Sequence, residues 1–247
     1  MIPSRPKAGA GRKGTGRMAG AWAFIRGNAS AAFGGKTVAF VLLAVAVFLA
    51  VAALTLLNRR ATIDAQHIYD FLLVPALILL FYPAAFALQG DKDAGMIEVL
   101  FGIPDYRFKV WLARYLTIYL TVGMWVLVLA LLSRIGLAAF PLGRMVLEVM
   151  IPILFIGSLA FYLAASTGSG IATSVLLLVV IGLFWLFRDS LAAGPWYLFH
   201  NPFVRVEEIK AMVLAKTTFA NRLYLLSGFL VLTLLSLLRL QKREKFI

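Results

Sequence analysis

The sequence predicts an all-α integral membrane protein of six transmembrane helices, and three observations lead there. The 247-residue chain is 62% hydrophobic and only 14% charged, whereas a soluble fold is ordinarily about 25% charged. Its mean hydropathy is +0.91. Six separate apolar stretches have roughly the length needed to cross a hydrocarbon core of about 30 Å.

Residues 1–16 are rich in Gly, Pro, Lys and Arg and read as a disordered basic lead. The first apolar stretch starts too far from these basic residues for a signal peptide. The remainder, 17–247, reads as one six-span transmembrane domain. Met18, Trp22 and Ile25 share a helical face from which Arg17 and Arg26 are absent, the pattern of an N-terminal helix lying in the membrane interface. The spans are expected at 37–57, 67–88, 110–132, 145–165, 170–187 and 223–238. Ser166, Thr167 and Ser169 mark a tight turn between the fourth and fifth, with hydroxyls suited to helix capping. Two connections are longer. The inner one covers 89–109. The outer one, 188–222, holds Pro195, Trp196, Tyr197, Phe199, Pro202 and Phe203, aromatics suited to the headgroup level. After them Val206, Ile209 and Val213 share a face opposite Glu207 and Glu208, predicting a short amphipathic helix before the sixth span.

An even number of spans places both termini on one side of the membrane. The lead, the inner connection and the tail together carry 14 Lys and Arg, against 9 on the opposite side. The excess predicts that both termini are cytoplasmic, in a multi-pass protein of the cell membrane. The net charge of +13 follows the same geography. Residues 1–36 carry seven basic side chains and no acid, and the tail from Arg239 adds Lys242, Arg243 and Lys245 against Glu244. Basic residues flanking spans serve orientation and contact with membrane lipid. No recognition helix or aromatic-interleaved basic stripe accompanies them, so nucleic acid is not an expected partner.

Chemistry is sparsely provided for. The absence of cysteine and the presence of only two histidines leave no cysteine-ligated metal and little material for any other metal site. Gly35-Lys36-Thr37 resembles the end of a phosphate loop, but Ser30 stands where the first glycine belongs and an apolar span follows. ATP is therefore not expected on this chain. No G-x-S-x-G or H-E-x-x-H motif is present. Charge within the spans is limited to Asp70, Arg114 and Glu148. Asp70 is expected beside His67, and Glu148 in a salt bridge with Arg144 four residues earlier. No span carries a mid-membrane carboxylate, which disfavours a stand-alone proton-driven transporter, and a membrane-embedded enzyme lacks its usual residues.

The inner connection is the most patterned segment. Asp93, Gly95, Glu98, Leu100, Pro104 and Arg114 form an acidic and glycine start, a short amphipathic helix, a proline stop and a basic residue in the next span. Gly95 follows Asp93 by two, Pro104 follows Gly95 by nine, and Arg114 follows Pro104 by ten. Here the sequence resembles the permease subunits of ABC-2-type ATP-binding-cassette exporters. Asp93, Met96 and Arg114 depart from a usual Glu, Thr and Lys, with the charge pattern kept. Asn201-Pro202 is similar to a pair found in the outer segment of that family. The resemblance implies that the inner connection 89–109 is a cytoplasmic coupling loop with Gly95–Pro104 as its coupling helix, and with Arg114 seating the next span. It also implies a dimer with a second permease copy or paralogue, and a separate ATPase subunit that holds ATP and Mg. The chain itself would bind no cofactor and catalyse no reaction.

Overall fold

In lipid the backbone has no water to bond to, so an apolar chain satisfies its N–H and C=O groups by forming helices. The structure, a computed structural model, describes residues 36–57, 63–93, 107–192 and 194–240, and every regular element among them is helical. These are α1 (Thr37–Leu57), α2 (Ala65–Asp93), a π-helical turn (Arg107–Leu112) leading into α3 (Ala113–Gly136), α4 (Leu142–Thr167), α5 (Gly170–Leu186), the single turn α6 (Arg188–Leu191) and α7 (Glu208–Arg239). Five helical segments are long and apolar enough to cross a membrane: Val38–Leu57, Ala65–Gly90, Val110–Gly136, Leu142–Thr167 and Lys210–Arg239. The chain is thus an all-α, multi-pass membrane protein. α5 has 17 residues, about 25 Å at 1.5 Å per residue.

Several boundaries differ from the sequence reading. α2 runs on to Asp93 instead of stopping before Gln89. The short amphipathic helix expected around Val206–Val213 is the beginning of α7, a single helix of 32 residues. No proline or glycine interrupts that stretch between Glu208 and Ser227, so nothing stops the helix at the edge of the apolar run. The Ser166–Ser169 turn is where it was expected. Gly168 adopts φ 65° as the left-handed C-cap of α4, and the Ser169 hydroxyl accepts from the Ala172 N–H to cap α5. The basic lead and the interfacial helix around Met18–Ile25 lie outside the described residues, as do Gly95, Glu98, Leu100 and Pro104.

α2 and α4 are the two central helices. α2 packs on α1, α3, α4 and α5, and α4 on α2, α3, α5 and α7. Leu72, Leu79 and Leu80 of α2 and Met145, Ile153 and Ile156 of α4 are fully buried. α1 is the least buried, with Leu42, Leu49 and Leu54 exposed, and α7 exposes Leu223, Leu230 and Leu234. In a membrane such surface faces lipid or a partner helix. Pro75, Pro83 and Pro152 sit inside α2 and α4; each removes one backbone hydrogen bond, a loss that spanning helices tolerate when neighbours supply substitutes.

Close helix approach is set by small residues, since lipid supplies no hydrophobic force between helices. A Cβ on Gly157 would stand 2.6 Å from the Tyr119 hydroxyl and 3.1 Å from Leu80 Cδ1. The same tyrosine hydroxyl donates to the Leu154 carbonyl at 3.0 Å, and Tyr115 donates to the Gly157 carbonyl. Gly157 therefore joins α3 to α4 by contact and by hydrogen bonding. Gly157→Ala should destabilise the bundle by about 1–3 kcal/mol through overpacking. At Gly123 a Cβ would meet only Met150 at 3.6 Å, so Gly123→Ala serves as the control. Thermal unfolding of both variants in detergent measures the difference, and equal melting would refute the packing argument.

The two ends of the bundle are fixed by specific contacts. Lys36, just before α1, lies over the Tyr82 ring at 5.4 Å, and Arg239, closing α7, lies over Tyr162 at 4.9 Å. The Gln89 side chain accepts from the Gly170 N–H at 2.6 Å, where α5 starts. The opposite end gathers the start of α2, the start of α4 and residues 194–207 around Asn201. Below, these are called the Gln89 end and the Asn201 end.

Candidate functional site

At the Gln89 end the structure places two of the six residues singled out in the inner connection. Asp93 is exposed at the last position of α2 and accepts a long 3.4 Å hydrogen bond from the Gln89 amide. Through its other atom, Gln89 binds the first residue of α5, so one side chain links the exit of α2 to the α4–α5 turn. Arg114 is 6% exposed, with its guanidinium 5.1 Å from the Trp111 ring centre. Around it lie Pro83, Ala84, Leu88, Tyr115 and Phe161, which belong to α2, α3 and α4. A cation on an aromatic face keeps part of its electrostatic compensation out of water. The structure does not bring Asp93 and Arg114 together in any described contact.

The Asn201 end is richer, and its centre is Arg222. This side chain is 9% exposed and donates from Nε to Glu148 Oε2 at 2.7 Å. Its Nη1 donates to Asn221 Oδ1 at 2.8 Å and its Nη2 to the His200 carbonyl at 3.1 Å. Glu148 is 15% exposed and only 3.9 Å from Arg144, the partner expected from the sequence. The expected pair is present, and Arg222 adds a shorter one that the sequence reading did not foresee. Spacing along a helix suggests the i, i+4 neighbour, but a buried charge needs a buried partner with good geometry. The available signal was an Asn-Arg pair opening an apolar run, opposite the single acid of α4.

Asn221 and Asn201 fasten the intervening loop. Asn221 Nδ2 donates to the carbonyls of Pro195 and Tyr197 at 2.7 and 2.8 Å. Asn201 Nδ2 donates to the Gln66 carbonyl at 3.0 Å and to Asp70 at 3.2 Å, while its Oδ1 accepts from the Phe203 N–H. The loop is thereby tied to α2 and α7 at once. His200 shares a 2.9 Å hydrogen bond with Thr218. Burial, followed by the charge of Arg222, holds the His200 imidazole below its usual pKa, although Glu148 acts in the opposite sense. Asp70 accepts from Asn201 and also feels the charge of His67 nearby, while the His67 ring itself meets Asp64 at 2.8 Å. Burial would raise the Asp64 carboxyl, but hydrogen bonds from the His67 side chain and backbone, with the charges of His67 and Arg205, hold it below its ordinary value.

Two clefts flank residues 202–206. One, of about 660 Å³, is lined by Asp70, Arg188, Asp189, Tyr197 and Asn201 above the apolar Leu73, Leu77, Ile181 and Trp185, and opens between α2 and α5. The other, of about 690 Å³, lies between α4 and α7 and is lined by Arg144, Glu148, Arg205, Arg222, Ala211, Ala215 and Phe219. Each has polar groups at one level and apolar walls beside them, the composition of a site for a small or amphiphilic molecule. Among the described residues, no three His, Cys, Asp or Glu side chains cluster as metal ligands do. No family model, curated protein or solved structure matches this chain.

Proposed function

We propose that this chain is the permease subunit of an ATP-driven exporter, working as a dimer with a second copy or paralogue and coupled to a separate ATPase. The observation that carries the reading is the segment between α2 and α3, where the ordered run Asp93, Gly95, Glu98, Pro104 and Arg114 joins a helix that ends exposed to one whose first cation is buried. α2 supplies a path for coupling. Its 29 residues span about 43 Å, pack on four other helices, and line the α2–α5 cleft with their first turns. Gln89 extends that path to the start of α5. Displacement of the coupling segment by nucleotide-driven closure of the ATPases would then shift α2 and α5 together, and with them the cleft at the far end.

Six crossings are part of the proposal. α5 starts at the level of Gln89 and reaches the cleft that holds Asp70. Those two residues of α2 are nineteen positions apart, about 28 Å along the helix axis, close to the hydrocarbon thickness. α1 begins and α7 ends beside Tyr82 and Tyr162 at one end of the bundle, which agrees with an even number of spans. The distribution of Lys and Arg supports cytoplasmic termini in the cell membrane.

Topology is open to a direct measurement, because the native chain has no cysteine. Single cysteines at Ala10 and at the exposed Trp196 can be labelled in intact cells with an impermeant maleimide. Residue 196 should react and residue 10 should be protected until the membrane is opened. The reverse pattern would invert the topology. The function itself is tested by purifying the chain from its native membrane in mild detergent: an ATPase bearing a phosphate loop should accompany it, and consistent absence of one would remove the exporter reading.

A further inference from the structure

We infer that the cleft between α4 and α7 is a binding site for the phosphate headgroup of an anionic phospholipid in the adjacent leaflet. Three guanidiniums line it, from Arg144, Arg205 and Arg222, against the single carboxylate of Glu148. Arg222 forms the floor and is buried with Glu148 at 2.7 Å. Arg144 and Arg205 are 61% and 79% exposed, so their charge is presented at the mouth. Arg205 also meets Asp64 at 3.2 Å, and Arg144 lies over the Phe203 ring at 5.5 Å. Both are thereby held near the cleft, and positive charge remains in excess among its lining groups.

The level of the site selects a lipid over a soluble anion. Residues 223–238, which follow Arg222 directly, carry no charge, and none of the residues between Glu148 and Arg188 is charged. The guanidiniums therefore stand at the boundary of the hydrocarbon, where headgroup phosphates lie. From the cleft toward the hydrocarbon, the exposed Phe219, Leu223, Leu226 and Leu230 form an apolar face of α7, surface suited to the first part of an acyl chain. Arginine binds phosphate through a planar fork of donors, and basic pockets between spanning helices bind anionic headgroups by this chemistry. The inference is independent of the exporter reading, since it requires no ATPase.

The test uses the full-length protein reconstituted in nanodiscs of equimolar phosphatidylglycerol and phosphatidylcholine, with retained lipid counted by native mass spectrometry after delipidation. Phosphatidylglycerol should be retained selectively. The double variant Arg144→Ala/Arg205→Ala should lower that selectivity roughly thirtyfold, from two basic groups each contributing a factor of about five at an anionic surface. Arg144→Lys/Arg205→Lys should keep most of it. Arg134→Ala, an exposed arginine of α3 outside the cleft, should change nothing. Equal retention of both lipids by the native chain, or undiminished selectivity in the double alanine variant, would overturn the inference. So would displacement of the lipid by glycerol phosphate in the millimolar range, which would identify the site as one for a soluble anion.

Discussion

Arg222→Ala should destabilise the protein by roughly 3–5 kcal/mol, the cost of leaving a buried charge without its partner. The size follows from what the side chain holds. One guanidinium joins Glu148 on α4, Asn221 on its own helix and the His200 carbonyl in the loop. Its removal strands the Glu148 carboxylate, which is 15% exposed, with only Arg144 at 3.9 Å in reach. Glu148→Gln should cost less, because the amide oxygen still accepts from Arg222, whose guanidinium keeps its hydrogen bonds to Asn221 and the His200 carbonyl. Denaturant unfolding in mixed micelles of the two single variants and their combination gives the coupling directly. Strictly additive losses would mean that the pair does not hold α4 to α7.

The second large effect is expected at Glu98, in the segment proposed to contact the ATPase. Glu98→Lys reverses a charge at that contact, where juxtaposed like charges cost several kcal/mol. ATPase retained on the purified permease should fall by on the order of a hundredfold, the equivalent of about 2.7 kcal/mol. Insertion should be normal, since residue 98 falls in the inner connection of the sequence, outside the six apolar stretches. Arg114→Ala should do the opposite: it removes the cation packed on Trp111 inside the helix junction, loosening the α2–α3 contact while ATPase binding persists. A Glu98→Lys protein with native pull-down and native transport would exclude this segment as the coupling element.

The contrast between the two ends of the bundle shows what a sequence discloses. Helices in lipid are selected by apolar length alone, so α1, α3, α4 and α5 are legible to within a few residues, and the Gly168 turn announces itself through small and hydroxyl residues. α7 is less legible because its first turns are polar: Lys210 and Lys216 hide the continuity of a helix that projects beyond the apolar run. The arrangement at the Asn201 end is legible least. Arg222 and Glu148 are 74 positions apart and Asn201 and Asp70 are 131 apart; such pairs depend on how helices stack, which no local spacing records. Asn201 was noticed for its proline neighbour, whereas its physical role is to bind two points on α2 and shape its own loop. Arg114 is buried against Trp111, a placement that its position in the sequence pattern does not disclose.

Site-specific photocrosslinking tests the central claim most directly. A photoreactive amino acid at position 98, expressed in the native membrane and irradiated during ATP turnover, should yield an adduct with a soluble ATPase carrying a phosphate loop. The same residue at position 196, at the opposite end of the bundle, should yield none. An adduct from both positions, or from neither while the chain still transports, would contradict a permease driven through the segment between α2 and α3.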